Sequence, residues 1–232
     1  MGKPTSPRTI ILKNKFYPQG LREIDVWEYY QGVKRKLIVE NTGLQMMVYI
    51  MSDMNKPIIR RYGASKKPIY LDNKNYDNVV TGRTISFHAS MNPTTRYGII
   101  DVDVHSTDGF KWAIQATHAT YDYVMDKMGF IRTAKIHYTG KGSFHIICDF
   151  GRAERADTVR FMLERFLIKS PLAKVYTINA KKATAGIPNL DLNRNAFRAN
   201  HISLHSLSTW GLKSMEVGYN QLMNFDPRKA KI

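Results

Sequence analysis

A single cysteine, Cys148, stands in a chain of 232 residues. One thiol excludes an intramolecular disulfide and any multi-cysteine zinc knuckle, so no zinc is expected. It also suits a reducing, cytoplasmic setting. Long apolar runs are equally scarce: no window approaches the ~18 uninterrupted apolar residues of a membrane span. The opening MGKPTSPRTIILKNK lacks the apolar core of a signal peptide. MGKPTS formally fits the loose myristoylation pattern, but a soluble protein with no membrane partner is the plainer expectation. Repeats, low-complexity tracts and linkers are missing too, which leaves one unit over residues 1–232.

Acidic residues are the scarce sign of charge. Asp and Glu number 19 against 35 Lys and Arg, a formal charge of +16. The basic residues come in pairs and triplets, including Lys34-Arg35-Lys36, Arg60-Arg61, Lys66-Lys67 and Lys181-Lys182. Such a chain suits a polyanion, with nucleic acid the first candidate.

Periodicity gives a coarse map. LREIDVWEYYQGVKRK, residues 21–36, brings Ile24, Trp27 and Tyr30 to one side at helical spacing. PIYL and RTISFHA read as strands on either side of the polar DNKNYDN. Asp108 is a fair N-cap for a helix whose stripe holds Phe110, Ile114, Thr117, Tyr121, Val124 and Met128, ending near Gly129. Two strands follow, AKIHYT and SFHIICDF, joined by a glycine turn at Gly140 to Gly142. ADTVRFMLERFLI then reads as an amphipathic helix carrying Val159, Met162, Leu163 and Phe166. Strand, helix, strand, strand, helix is the split βαβ order, with helices on one sheet face and the other open.

Three constellations stand out. GIIDVDVHST sets Asp101 and Asp103 on one face of a strand, with Val102 and Val104 turned to the core and His105 at its end. Paired hard oxygens suit Mg²⁺ or Mn²⁺; a solvated strand edge is the plain alternative. YTGKGSFHII places Ser143 and His145 on one face after a turn carrying Lys141, a set that could hold a triphosphate or simply be a cross-strand hydrogen-bonding pair. In LDLNRNAFRANHISLHSLSTWGL one acid, Asp191, precedes Arg194, Arg198, His201 and His205. It reads either as a salt-bridged carboxylate or as a third metal ligand beside phosphate-binding groups. Two ions ~4 Å apart would then serve phosphoryl transfer.

In combination these residues resemble the archaeo-eukaryotic primase superfamily: Asp-x-Asp, Ser-x-His after a Gly-rich turn, then a late Asp followed by Arg and Ser-Leu-His. DLNRNAFRANHISLHSLSTWGL is similar to the pattern of the primase small catalytic subunit, and LMNFDPRKA to its FDP tail. FYPQGL, KPIIRRYG and SFHAS look instead like the polymerase domain of bacterial ligase D. Gly142 stands where some primases carry a second basic residue, and Arg194 and Arg198 are spaced one residue wider than the small-subunit pattern.

The resemblance implies an α/β (α+β) fold. It would be a single-domain catalytic core with an RRM-like mixed sheet flanked by helices and the active site on the open sheet face. An N-terminal part of about 1–95 would precede an RRM-like part of about 96–232, with no zinc knob, helicase or ligase domain. It implies that Asp101, Asp103 and Asp191 hold two Mg²⁺ or Mn²⁺ ions, and that Ser143 and His145 contact the phosphates of the incoming nucleotide. Lys141, Arg198 and His205 would be further triphosphate contacts, with His88 near the nucleotide. The implied partners are a single-stranded DNA template, a primer and nucleoside triphosphates, with a primase large subunit, a ligase or a helicase as protein partners. The implied function is a DNA primase/polymerase, a nucleotidyltransferase that makes or extends short primers; a gap-filling or end-joining repair polymerase of the ligase D type is the alternative. In the polymerase reading Tyr17 and Tyr62 are candidates to stack on bases, or else packed residues. A non-catalytic single-stranded nucleic-acid-binding module, using the charge and an RNA-recognition-like sheet, is the reading from another class. The +16 charge alone carries an expectation common to all three: affinity for single-stranded DNA, measured by fluorescence anisotropy, should fall linearly in log–log form as salt rises.

Overall fold

The alternation in GIIDVDV is realised as a long strand in a computed structural model that describes residues 3–4, 8–54, 56–63, 66–90, 94–104, 109–180, 187–192 and 201–232. In chain order the elements are β1 (Thr9–Ile11), β2 (Leu21–Arg22), α1 (Glu23–Glu40), β3 (Met46–Met51), β4 (Pro57–Arg60), α2 (Tyr76–Val79) and β5 (Thr84–Ala89). There follow β6 (Thr94–Asp103), α3 (Gly109–Lys127), β7 (Thr133–Tyr138), β8 (Phe144–Arg155), α4 (Ala156–Ile168), β9 (Thr177–Ile178), β10 (Asn189–Asp191), β11 (His201–Ile202), β12 (Met215–Val217) and α5 (Tyr219–Leu222). They form two compact units. One comprises Met1–Ser90, Asn200–Met215 and Pro227–Ile232; the other Met91–Ala199 and Glu216–Asp226. No helix among the described residues is long and apolar enough to cross a membrane.

The second unit carries a six-stranded sheet in the order β12-β7-β8-β6-β10-β9. Strands β6 and β7 both run antiparallel to β8, which lies between them, so α3 connects two parallel strands across an intervening one. β10 then pairs antiparallel with the far side of β6. This is the split βαβ arrangement, and the mixed α+β fold class agrees with the sequence expectation. Ile100, Val102, Ile146, Cys148 and Leu190 turn to one face of the sheet, where Val124 of α3, Met128 just beyond its end, and Val159, Leu163 and Leu167 of α4 close the core.

The α4 boundaries coincide with ADTVRFMLERFLI, but its buried stripe is Ala156, Val159, Leu163 and Leu167. Phe166 lies outside that stripe, 39% exposed, with its ring 4.7 Å from that of Phe130. Spacing alone does not separate a core position from one a turn-edge away. On α3, Ile114, Thr117 and Val124 are buried as the stripe requires, whereas Asp108 and His105 lie outside the described residues. Val104 is half-buried.

The first unit carries a second sheet, in the order β11-β5-β3-β4. Helix α1 buries Val26, Tyr30 and Leu37 along one stripe. Ile24 and Trp27 are only half-buried beside it, so the core face is rotated from the one read in sequence. RTISFHA becomes β5, but PIYL forms only isolated bridges, Met46↔Ile69 and Tyr62↔Pro68, since Pro68 has no N–H to continue a ladder. Tyr17 is packed rather than available for stacking: it is 8% exposed, and its hydroxyl accepts the Ile232 N–H at 2.8 Å. Tyr62 is 54% exposed.

Close approach between β6 and α4 depends on Gly98. A Cβ there would meet Leu163 Cδ1 at 2.5 Å and Val159 Cγ1 at 2.8 Å. Overpacking of this kind costs about 1–3 kcal/mol. Gly98→Ala should therefore lower unfolding free energy by about that amount in urea titration, with the slope unchanged.

Candidate active site

Strand register decides which chemical groups meet. Asp101 of β6 is paired through its Cα with Asp191 of β10 on one side and with His145 of β8 on the other. His145 in turn faces His137 of β7. Directly opposed residues of antiparallel strands share a sheet face, with Cβ atoms about 4.5–5.5 Å apart. Asp191, Asp101, His145 and His137 therefore form one row across four strands, on the face opposite Ile100, Val102 and Ile146. At the end of the row His137 Nε2 is 4.0 Å from Glu216 Oε2, the oxygen that also takes a 2.9 Å ion pair from Lys135.

Neighbouring groups extend the row. Asp103, two residues along β6, shares the Asp101 face and lies opposite Asn189. Asn189 is itself fixed, its Oδ1 accepting from Thr177 Oγ1 at 3.0 Å and from the Ala180 N–H at 3.1 Å. Asn179, at a left-handed φ of 51°, brackets Asp191 by donating its N–H to the Leu190 carbonyl and accepting the Leu192 N–H. On the hairpin between β7 and β8, the Ser143 hydroxyl lies 2.8 Å from that of Thr139, whose hydroxyl also bonds the Ser143 carbonyl. Gly140 takes φ 85° to close this turn, and Lys141 at its tip is exposed.

The electrostatics of the row are unusual for a sheet. Two carboxylates directly opposite each other, Asp101 and Asp191, repel, and a third stands two residues along. His145 Nε2 approaches Asp101 Oδ1 to 3.5 Å, with the His145 side chain 7% exposed. Asp101 Oδ1 is buried and accepts no hydrogen bond among the described residues. An acceptor so placed suits a cation. Among the described residues no group of three or more His, Cys, Asp or Glu side chains is gathered tightly enough to cage a metal ion. The donor set nevertheless fits a hard divalent ion: carboxylate oxygens on one face, one of them lacking a donor.

Two other expected site residues, His88 and His205, belong to the first unit. His88, on β5, sits with its Nε2 3.2 Å from Ser86 Oγ and its ring 4.6 Å from that of Tyr49. His205 adopts a left-handed φ of 64°, and burial, then the charges of Lys36 and Lys213, hold its imidazole below the usual histidine range. Arg194 and Arg198 lie outside the described residues. Sequence reading missed His137, although AKIHYT alternates and so puts His137 and Thr139 on one face.

No family model and no curated protein matches the chain. Among solved structures it is similar to the polymerase domain of ligase D from Mycobacterium tuberculosis, determined in complex with DNA. The TM-score is 0.74, with 97% of this chain and 90% of that chain covered, at 13% sequence identity. Likeness at that identity is likeness of fold.

His137 supplies a pH test of the row. Burial, then the adjacent His145, pushes its pKa down from 6.5 to about 4. Above about pH 6.5 folded and unfolded chains both hold it neutral, and its contribution is full. Between about 6.5 and 4 only the unfolded chain takes up the proton, so stability falls with pH through that window, by on the order of 3 kcal/mol. Denaturant titrations from pH 7.5 to 4 should show this loss in the native sequence and a shallower one in His137→Gln.

Proposed function

We propose that the chain is a DNA primase/polymerase-type nucleotidyltransferase, adding nucleotides to a 3′-hydroxyl on a DNA template. The observation that carries this reading is the cross-strand opposition of Asp101 and Asp191, with Asp103 alongside and His145 next in the row. Carboxylates so opposed on a basic protein call for a cation and an anionic substrate together. Fold likeness to a polymerase domain solved with DNA supports the same reading.

Asp101, Asp103 and Asp191 would hold Mg²⁺ or Mn²⁺. Divalent ions at such carboxylates lower the charge on a triphosphate and make a hydroxyl a better nucleophile. The side chains have their own work. His145, Ser143 and Lys141 would bind the phosphates, the hydroxyl and imidazole by hydrogen bonds and the ammonium by charge. The 3′-hydroxyl gives up its proton to solvent as its oxygen attacks the α-phosphorus, a new P–O bond forms, and the bond to the oxygen bridging to the β-phosphate breaks as pyrophosphate leaves. His205, Arg198 and His88 are assigned to the triphosphate and nucleotide. Basic pairs such as Arg60-Arg61 would follow the phosphates of the single-stranded template. Extension of an existing primer end, as in gap filling, is favoured over synthesis from two free nucleotides, because the similar structure is a ligase polymerase domain.

Incorporation assays with Mg²⁺ or Mn²⁺ on bare, primed and gapped templates test this. Extension on primed or gapped DNA is expected, and short products on bare template would add primase activity. Asp101→Ala and Asp103→Ala should each lower turnover by about two to three orders of magnitude or more, while DNA binding holds or strengthens. Incorporation that survives Asp101→Ala would overturn the assignment of the metal-binding carboxylates, whereas its absence from the native protein on every template would leave a nucleic-acid-binding module.

A further inference from the structure

His205 holds a backbone conformation that side chains other than Gly and Asn seldom adopt, at φ 64°. Such a conformation is strained and persists only where neighbours over-determine it. Here the neighbours are specific. The His205 N–H donates to the Ser214 carbonyl at 2.9 Å, and the Ser214 N–H to the Ser206 carbonyl at 2.7 Å. On the other side, the Tyr29 hydroxyl donates to the His205 carbonyl at 2.6 Å. Both peptide groups of the strained residue are thus pinned. The next tyrosine of α1, Tyr30, secures the following segment by accepting the Leu207 N–H at 3.0 Å.

Two observations set Tyr29 apart from ordinary packing. First, the same loop contains a glycine at positive φ, Gly211 at 77°, where a Cβ would meet Leu21 Cδ1 at 2.7 Å, whereas at His205 the chain keeps a side chain at positive φ. Second, the retained imidazole lies within the fields of Lys36 and Lys213, and Lys36 is two helical turns beyond Tyr29 on the same side of α1. Positive charge from two lysines beside a ring held on a constrained backbone suits an anion. Burial holds the Tyr29 hydroxyl far above its usual pKa, so it remains a donor.

We propose that Tyr29 is a positioning residue, which by holding the His205 carbonyl keeps His205 in the left-handed conformation that presents its imidazole, with Lys36 and Lys213, to a polyphosphate. The proposal rests on the nucleotidyltransferase reading for the identity of the anion, and its geometry lies wholly in the first unit.

Calorimetry with inorganic tripolyphosphate provides the test, because it needs neither template nor turnover. Tyr29→Phe removes only the hydroxyl. It should weaken tripolyphosphate binding about fivefold, the size expected for one hydrogen bond. His205→Ala should weaken it at least as much, and the double variant no further, since Tyr29 acts through His205. Tyr29→Phe should also raise KM for the incoming nucleotide on primed template while leaving kcat within about twofold. As a readout of the strained turn, His205→Gly should raise the thermal midpoint in the native background and less in Tyr29→Phe. Absent binding by the native protein, unchanged affinity in Tyr29→Phe, or additive losses in the double variant would each overturn the proposal. Coupled binding without nucleotide incorporation would instead uphold the positioning role and remove the polymerase reading.

Discussion

Antiparallel pairing of β6 with both β8 and β10 is the constraint on which the candidate site depends. In a strand the side-chain period is two, so a slip of one residue in either ladder would send Asp101 to the core and Val102 to the opposite face. What prevents the slip is the apolar half of the same strands. Ile100 and Val102 are fully buried against Ile146, Leu190 and the helices. Gly98 admits α4 close to β6 at one place along the strand. The core therefore holds the acids in register, and the acids contribute little to holding themselves.

Much of this was legible in the sequence because it rests on local periodicity. The valines flanking Asp101 and Asp103 announce a strand with one apolar face, and ADTVRFMLERFLI announces α4 to its boundaries. What was not legible depends on partners distant in sequence. Asp191 and Asp101 are 90 residues apart in number but opposite each other in register, and nothing in either stretch gives that alignment. His137 looked like one more residue of an ordinary strand; only pairing with His145 gives it a place beside the acids. Tyr17 and Phe166 were misjudged for the converse reason. Whether an aromatic is packed or exposed is settled by what arrives from elsewhere, such as the Ile232 N–H on the Tyr17 hydroxyl.

The first unit solves a different problem, that of fixing irregular backbone. Its later segment, from β11 to β12, carries little regular structure, yet Ser203 and Ser206 are fully buried. Buried hydroxyls and peptide groups must be satisfied. The tyrosines of α1 and the serines satisfy them in turn: Ser206 Oγ accepts the Phe87 N–H at 2.7 Å, and Ser203 Oγ donates to Asn41 Oδ1 at 2.7 Å. A segment built this way is exacting about side-chain identity. That explains how a loop can keep a strained histidine in one geometry.

Both margins of the six-stranded sheet are very short: β9 has two residues and β12 three. A strand of two or three residues exposes too few unpaired N–H and C=O groups to template a foreign strand. β4, at one margin of the other sheet, begins with Pro57 and ends with Arg60, two residues that discourage pairing in the same way. At these margins copies of the chain are thereby guarded against joining edge to edge into fibrils.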